Sequence, residues 1–447
     1  MSSSDDGLTC IEGHLWRNVM LGFWSKRFCR LEENKLSIFK KKSDKKAESI
    51  INMTSLVTTE ITDASNNKFK LNIPTESNSE AESVYLQASS KNEMMKWILD
   101  LRSCAFTNPK LTMDAFKIIS VIGRGCYGKV MLCQKKDTQE LLAIKTVHKS
   151  RLVEANKLHT ILTERNILSK VKNPFIVSLN YAFQTVSKFY LCLEYAPGGD
   201  LFHLLTLGIP PTDDIKLYIA ELSIAINDLH KNGIIYRDIK PENILFDEKG
   251  HIKLTDFGLS KDFNKNEEMT TMSFCGTTEY MAPEMIKKAG YGKQIDWWGL
   301  GIVAYEMFFG MTPFEAANKR QMYQNILKAK VKFPKNADEN VVDLIKSLLR
   351  KNPKKRGNFE TIKKSKLFKN FDFDAVFNRQ IPPLYVPEID DPTNPNNFDP
   401  EFTKEMAIDS VANCEMAYPM VSKFSFSCLS PEPMPLPFPD PIPLIGE

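Results

Sequence analysis

The sequence predicts a multidomain α+β fold, and three observations predict it. Residues 11–102 alternate apolar and polar positions between short turns, the period of half-buried strands. From Phe116 the pattern changes: an apolar strand runs into three closely spaced glycines, and helical periodicity follows at His159 to Leu168. The length of 447 residues has room for two or three such regions. With 43% hydrophobic and 26% charged residues, the balance is that of a globular protein.

Charge and cysteine usage exclude several classes. A net charge of +4 is too mild to point to nucleic acid, so any basic partner site is a local patch. Nine cysteines without a C-x-x-C pair argue for a reducing compartment, with neither a disulfide framework nor a zinc site. The opening Met-Ser-Ser-Ser-Asp-Asp lacks a basic and apolar leader pattern. The most apolar stretch, Trp297 to Phe309, is short and carries Glu306, so it reads as a buried helix and not a membrane span. The expectation is a cytoplasmic monomer that meets a membrane, if at all, through a folded surface.

The first region is built from strands such as Arg27-Phe28-Cys29-Arg30-Leu31 and Lys35-Leu36-Ser37-Ile38-Phe39. It closes with a helix over 92–103, where Met95, Ile98, Leu99 and Arg102 fall at helical spacing around Trp97. Glu12-Gly13-His14-Leu15-Trp16, Trp24-Ser25-Lys26-Arg27-Phe28 and the late Trp97 together resemble a pleckstrin-homology domain over residues 8–103. The resemblance implies a β-barrel with a C-terminal helix and a phosphoinositide site at Arg17, Lys26 and Arg27. Ser25 stands where that family usually has a second arginine. The run Lys40-Lys41-Lys42, with Lys45 and Lys46, would attract an anionic leaflet at about 1 kcal/mol per basic residue near the surface. A solvated hairpin is the alternative.

Residues 104–115 form a short linker. Beyond it come Gly123-Arg124-Gly125-Cys126-Tyr127-Gly128-Lys129-Val130, then Ala143-Ile144-Lys145. Tyr236-Arg237-Asp238-Ile239-Lys240-Pro241-Glu242-Asn243, Asp256-Phe257-Gly258 and Ala282-Pro283-Glu284 follow. In this order and spacing the segments resemble the protein-kinase signature, over residues 116–368. The resemblance implies a bilobal fold, ATP and Mg2+. The glycines let the backbone close over phosphates, and Ile122, Arg124, Cys126, Val130 and Ala143 belong to the nucleotide site. Lys145 suits the α- and β-phosphates and needs an opposing carboxylate, for which Glu164 matches; a solvated helix charge is the alternative for Glu164. Asp238 matches the group that accepts the substrate hydroxyl proton, Lys240 the stabiliser of the moving phosphate, and Asn243 and Asp256 the metal ligands. Glu194 and Ala196 resemble the adenine-pairing hinge, with Leu193 as gatekeeper. Asp296 is expected to support the catalytic loop, and Glu284 to pair with Arg356.

Lys240-Pro241-Glu242-Asn243 and Gly276-Thr277 resemble serine/threonine kinases. Asp200 and Glu242 match carboxylates that meet arginines upstream of the phospho-acceptor. The segment from Ser273 to Tyr280 resembles the activation segment of the AGC group, with Ser273 as phosphosite, Arg237 as its partner and Thr278 in place of a usual proline. In residues 369–428, Asn397-Phe398-Asp399 matches a tether that brings Phe398 near adenine. Phe424-Ser425-Phe426 resembles the hydrophobic motif, with Ser425 as phosphosite and Val421 replacing its first aromatic. Ser410 lies where a turn-motif phosphosite is expected, without its proline. Residues 429–447 are proline-rich and read as an extended tail. A pleckstrin-homology domain before such a kinase resembles the Akt (protein kinase B, RAC) family. This implies arginine-bearing protein substrates, an upstream activating kinase, and recruitment to phosphoinositides on the inner face of the plasma membrane. Two alternatives stay open: a first domain that binds protein instead of 3-phosphoinositides, and a catalytically silent scaffold. The intact Lys145, Asp238 and Asp256 oppose the second.

Overall fold

The structure is a computed structural model. It describes residues 11–20, 23–32, 35–53, 57–63, 65–73, 82–105, 111–125, 127–263, 271, 276–409, 420–421 and 424–428. Cys126, Ser273, Ser410 and the proline-rich 429–447 lie outside the described residues. The chain divides into two compact units, Met1–Leu111 and Thr112–Glu447.

In the first unit, apolar alternation builds one antiparallel sheet. Its strands are β1 (Ile11–Met20), β2 (Phe23–Glu32), β3 (Lys35–Phe39), β4 (Ser49–Asn52), β5 (Thr58–Asp63), β6 (Lys68–Ile73) and β7 (Glu82–Gln87). They run in the order β4-β3-β2-β1-β7-β6-β5. Leu15, Cys29, Leu31, Leu36, Ile38, Phe69, Leu71 and Leu86 form the core, closed by helix α1 (Lys91–Ala105). Trp97 packs over Gly13, where a Cβ would lie 3.4 Å from the indole, in ordinary contact. One expectation needs correction. The stripe of α1 that faces the core is Met94, Trp97, Ile98 and Leu101, and Met95 is exposed. Trp97 lies inside the stripe, and the i, i+3, i+4, i+7 set that contains it is one residue out of phase with a set begun at Met95.

The second unit opens with five strands: β8 (Phe116–Gly125), β9 (Gly128–Lys135), β10 (Leu141–His148), β11 (Leu179–Gln184) and β12 (Lys188–Glu194). Helices α2 (Lys149–Glu154) and α3 (Leu158–Lys170) interrupt them. The larger helical part holds α4 (Leu201–Leu207), α5 (Thr212–Lys231), α6 (Pro283–Ile286) and α7 (Gln294–Phe309). Two short pairs sit between α5 and α6: β13 (Ile234–Ile235) with β16 (Lys261–Asp262), and β14 (Ile244–Phe246) with β15 (Ile252–Leu254). The chain returns at its end to add β17 (Phe426–Ser427) to the first sheet, in the order β17-β11-β12-β10-β9-β8. Helix α7 is apolar all round and buries Trp297, Trp298, Leu300, Ile302 and Val303, as a helix at the centre of a core does. No helix among the described residues is long and apolar enough to cross a membrane.

Candidate active site

Lys145 lies in the middle of β10, opposite Val130 on one side and Leu191 on the other. Its ammonium donates to both oxygens of Glu164, at 2.8 and 3.0 Å, and to Asp256 Oδ1 at 2.8 Å. Glu164 is 2% exposed on the inner face of α3, so it is no solvated helix charge. Burial works against charge on Lys145, but the carboxylates of Asp256 and Glu164 outweigh it and hold the ammonium above the ordinary lysine range. The same ammonium holds Asp256 below the usual carboxylate range, against burial.

The loop from Tyr236 to Asn243 joins β13 to β14 and brings the other groups in. Asn243 donates to the carbonyl oxygen of Asp238 at 2.9 Å and to its Oδ2 at 3.0 Å. Lys240 Nζ sits 3.1 Å from the same Oδ2 and donates to Thr277 Oγ1 at 3.2 Å. Buried Asp296 fixes this loop from below, accepting from the Tyr236 and Arg237 amides at 3.0 and 2.8 Å and meeting His230 Nε2 at 2.7 Å. Arg237 (φ +75°) and Asp256 (φ +55°) both hold left-handed backbone, strain of a kind that concentrates at functional sites.

Among the described residues no group of three or more His, Cys, Asp or Glu gathers for a metal. Asn243 and Asp256 supply one amide and one carboxylate. These oxygen ligands fit a hard divalent cation that takes its remaining ligands from phosphate and water. The Asn243 nitrogen is committed to Asp238, which turns its amide oxygen away from that residue.

The three glycines are not equivalent. A Cβ on Gly128 would fall 1.7 Å from the Thr146 carbonyl oxygen, whereas one on Gly125 meets nothing within 4 Å. Ile122 and Ala143 are buried and Val130 half-buried on the strands beside the glycines. Glu194 ends β12, its side chain tied to Lys253 at 2.6 Å and to the Ser178 amide at 3.1 Å. Leu193 and Ala196 are buried on either side of it. Phe398 stacks on Tyr195 with centroids 5.9 Å apart, so the tail crosses the segment that follows β12. Asn397 donates to the Pro197 carbonyl at 3.1 Å, and Gly199 has no room for a Cβ beside the Asn397 carbonyl. Farther along the tail, Glu405 pairs with Arg124 at 2.9 Å.

Three carboxylates lie near the catalytic loop. Asp200 caps α4, accepting from the His203 amide at 2.7 Å, which commits one of its oxygens. Partial desolvation raises the pKa of Asp200, of Glu242 and of Glu306, with Asp200 adding to the rise at Glu242 and Glu242 to that at Glu306. None of the three forms an ion pair with Lys or Arg among the described residues. Glu306, which accepts from the Tyr280 hydroxyl at 2.8 Å, is the residue the sequence reading missed as part of this group. Its signal was the lone carboxylate in the apolar stretch Trp297 to Phe309.

The remaining sequence-derived residues fall as follows. Arg237 donates to the Leu259 and Ser260 carbonyls at 2.6 and 3.4 Å. Glu284 and Arg356 form a buried two-point pair at 2.6 and 2.9 Å. Phe424 is fully buried against Phe189, with centroids 4.6 Å apart. Arg165 donates to the Phe424 and Ser425 carbonyls and lies over the Phe426 ring. The Ser425 residue itself is exposed. Next to Ser410, Asp409 accepts from buried Lys188 at 2.6 Å and from the Tyr190 hydroxyl at 2.9 Å. In the first unit Arg17 lies opposite Ser25 and shares its face with Arg27, which pairs with Glu48 at 2.5 Å. Lys26 instead pairs across from Trp16 and reaches over its ring at 5.4 Å. Strand alternation puts Lys26 on the other face and so corrects the expectation that the three form one site.

Comparison with known proteins agrees with this geometry. The protein kinase domain family matches residues 116–368, and the PH domain family matches residues 10–106. Serine/threonine-protein kinase gad8 of Schizosaccharomyces pombe is 44% identical over 305 residues, which is 67% of this chain and 53% of that protein. The RAC family serine/threonine-protein kinase homolog of Dictyostelium discoideum is 36% identical over 396 residues, 86% of this chain and 88% of that protein. Human ribosomal protein S6 kinase alpha-3 is 40% identical over 334 residues, 72% of this chain. The chain spans about half the length of gad8 and 45% of the S6 kinase, against most of the RAC homolog. It belongs to the protein kinase family, as a serine/threonine kinase of the AGC group that carries a PH domain ahead of its catalytic domain.

Proposed function

We propose that this chain transfers the γ-phosphate of ATP to serine or threonine in proteins with arginine upstream of the acceptor. The observation that carries the reading is the double anchoring of Lys145 by Glu164 and Asp256, beside Asp238 already joined to Lys240 and Asn243. Phosphoryl transfer needs positioning and charge compensation more than covalent chemistry. Lys145 orients the α- and β-phosphates. Asp238 accepts the hydroxyl proton, and Lys240 meets the charge that builds on the moving phosphoryl group. Asn243 and Asp256 would hold Mg2+, which when bound would compensate charge on the phosphates. Asp200 and Glu242, with Glu306, supply negative charge for the substrate arginines. None of the three is tied to Lys or Arg in an ion pair among the described residues, which leaves them free to meet a guanidinium.

In this reading residues 8–103 recruit the protein from the cytoplasm to phosphoinositides through Arg17 and Arg27. Residues 104–115 link them to catalytic residues 116–368. Residues 369–428 hold the small lobe once Ser425 is phosphorylated, and Ser273 phosphate pairs with Arg237. Ser410 is a further phosphosite. A second reading, in which the first domain binds a protein, is favoured by Ser25 and by the engagement of Arg27 with Glu48.

The test is phosphate transfer from Mg-ATP to a peptide with arginines three and five residues before a serine. Asp256→Ala and arginine-to-alanine peptides are the controls. Transfer that needs both Asp256 and the arginines supports the proposal. Transfer without arginine dependence removes the substrate assignment. No transfer, even after phosphorylation of Ser273 and Ser425, leaves a scaffold.

A further inference from the structure

We infer that Glu48 is an internal competitor for the phosphate site of the first domain, and that it sets how tightly an inositol polyphosphate group binds there. This rests on reading Arg17 and Arg27 as that site.

Arg17 on β1 lies opposite Ser25 on β2, and strand alternation puts Arg27 on the same face as Ser25. The Arg27 side chain is only 12% exposed. Its Nε donates to Glu48 Oε2 at 2.5 Å, its Nη2 to Glu48 Oε1 at 3.4 Å and its Nη1 to Ser25 Oγ at 2.5 Å. All three nitrogens of the guanidinium are therefore engaged within the domain. The two-point contact with Glu48 is the geometry that the same fork offers to phosphate.

Glu48 is delivered by the β3–β4 connection, where its amide donates to the Ile38 carbonyl at 2.7 Å. Its carboxylate is kept ionised first by the Arg27 hydrogen bond, with Arg17 and Lys40 adding their field. One internal anion thus sits among three cations. A phosphate that takes the Arg27 fork must first displace Glu48, and Ser25 offers no second cation to offset the loss. Lys26, paired across from Trp16 and lying over its ring, is on the other face of the sheet and supplies no cation at the fork. A purely orienting role for Glu48 predicts the opposite sign, because its removal would loosen Arg27 and weaken binding.

The experiment uses the full-length chain. Soluble inositol tetrakisphosphate is titrated calorimetrically, and phosphatidylcholine vesicles with and without phosphatidylinositol trisphosphate are used for sedimentation. Glu48→Gln removes the charge and keeps the shape; Arg27→Ala is the control. Melting curves establish that both variants fold. The expected result is about tenfold tighter binding of both probes by Glu48→Gln, the worth of one charge-assisted hydrogen bond, and loss of both by Arg27→Ala. Unchanged or weaker binding by Glu48→Gln, with Arg27→Ala still abolishing it, overturns the competitor role and leaves the site. A gain on vesicles alone also overturns it, because bulk charge and not competition at Arg27 would explain it. If the wild type binds neither probe, or Arg27→Ala binds as well as wild type, both the site and the competitor fall.

Discussion

The Gln184 side chain grips the backbone of Val421 from both sides: its Nε2 donates to the Val421 carbonyl at 2.6 Å, and its Oε1 accepts from the Val421 amide at 3.0 Å. This explains how the end of the chain seats on the small lobe although an aromatic is missing at Val421. A backbone clamp does not depend on the side chain that presents the backbone. Gln184→Ala should cost about 1–3 kcal/mol, two hydrogen bonds of ordinary worth. Phe424→Ala should cost about 3–5 kcal/mol through the cavity it leaves. Denaturant melts check both, and proteolysis of the chain end should quicken in each variant.

Gly128→Ala and Gly125→Ala should part company. The first drives a methyl group into the Thr146 carbonyl, so β9 and β10 must separate beside Lys145; the second enters open space. Gly128→Ala should lower the melting temperature and weaken ATP binding at least tenfold. Gly125→Ala should leave the melting temperature within a degree or two of the wild type. Scanning calorimetry with and without nucleotide reads both effects.

Lys149 is buried beside the Phe189 ring and donates to Gln184 Oε1 at 3.0 Å. Burial pushes its ammonium down to about 8. The unfolded chain keeps this proton up to the ordinary lysine value of about 10.4. Between those two values the unfolded state binds more protons, so this group makes stability rise with pH across that window. Below about pH 8 both states are protonated and its contribution is flat. Unfolding at a series of pH values should show a steeper rise for the wild type than for Lys149→Met. Parallel curves would remove Lys149 as the cause.

Glu306→Gln should raise KM for an arginine-bearing peptide about tenfold and leave kcat near the wild-type value, the signature of lost ground-state binding. A peptide without arginine should respond equally to both enzymes. Steady-state kinetics with the two peptides separates this from a folding defect.

The parts of this protein that were legible in its sequence are those where chemistry demands a residue type at a set spacing. Lys145, Asp238, Asn243 and Asp256 meet in space because β10 carries the first and the loops after β13 and β15 carry the other three. Glu306 was hidden because it sits on a helix whose apolar surroundings speak for the core, and only the fold brings it to Glu242 and Tyr280. The phase of α1 was missed because Met94 and Met95 are chemically alike and differ only in which side of the helix they occupy. The pairs Arg27–Glu48 and Lys188–Asp409 join residues 21 and 221 positions apart, a distance over which local pattern carries no information. Their carboxylates looked like any solvated charge.

The most direct test of the account is the rate of phosphate transfer to an arginine-bearing peptide by Asp238→Asn, measured beside ATP affinity. Asn keeps the shape of Asp238 and its contact with Asn243 but cannot accept the hydroxyl proton. The account predicts a fall in kcat of about a hundredfold or more, the usual worth of a positioned base, with ATP affinity unchanged. A variant that transfers phosphate at the wild-type rate would contradict it.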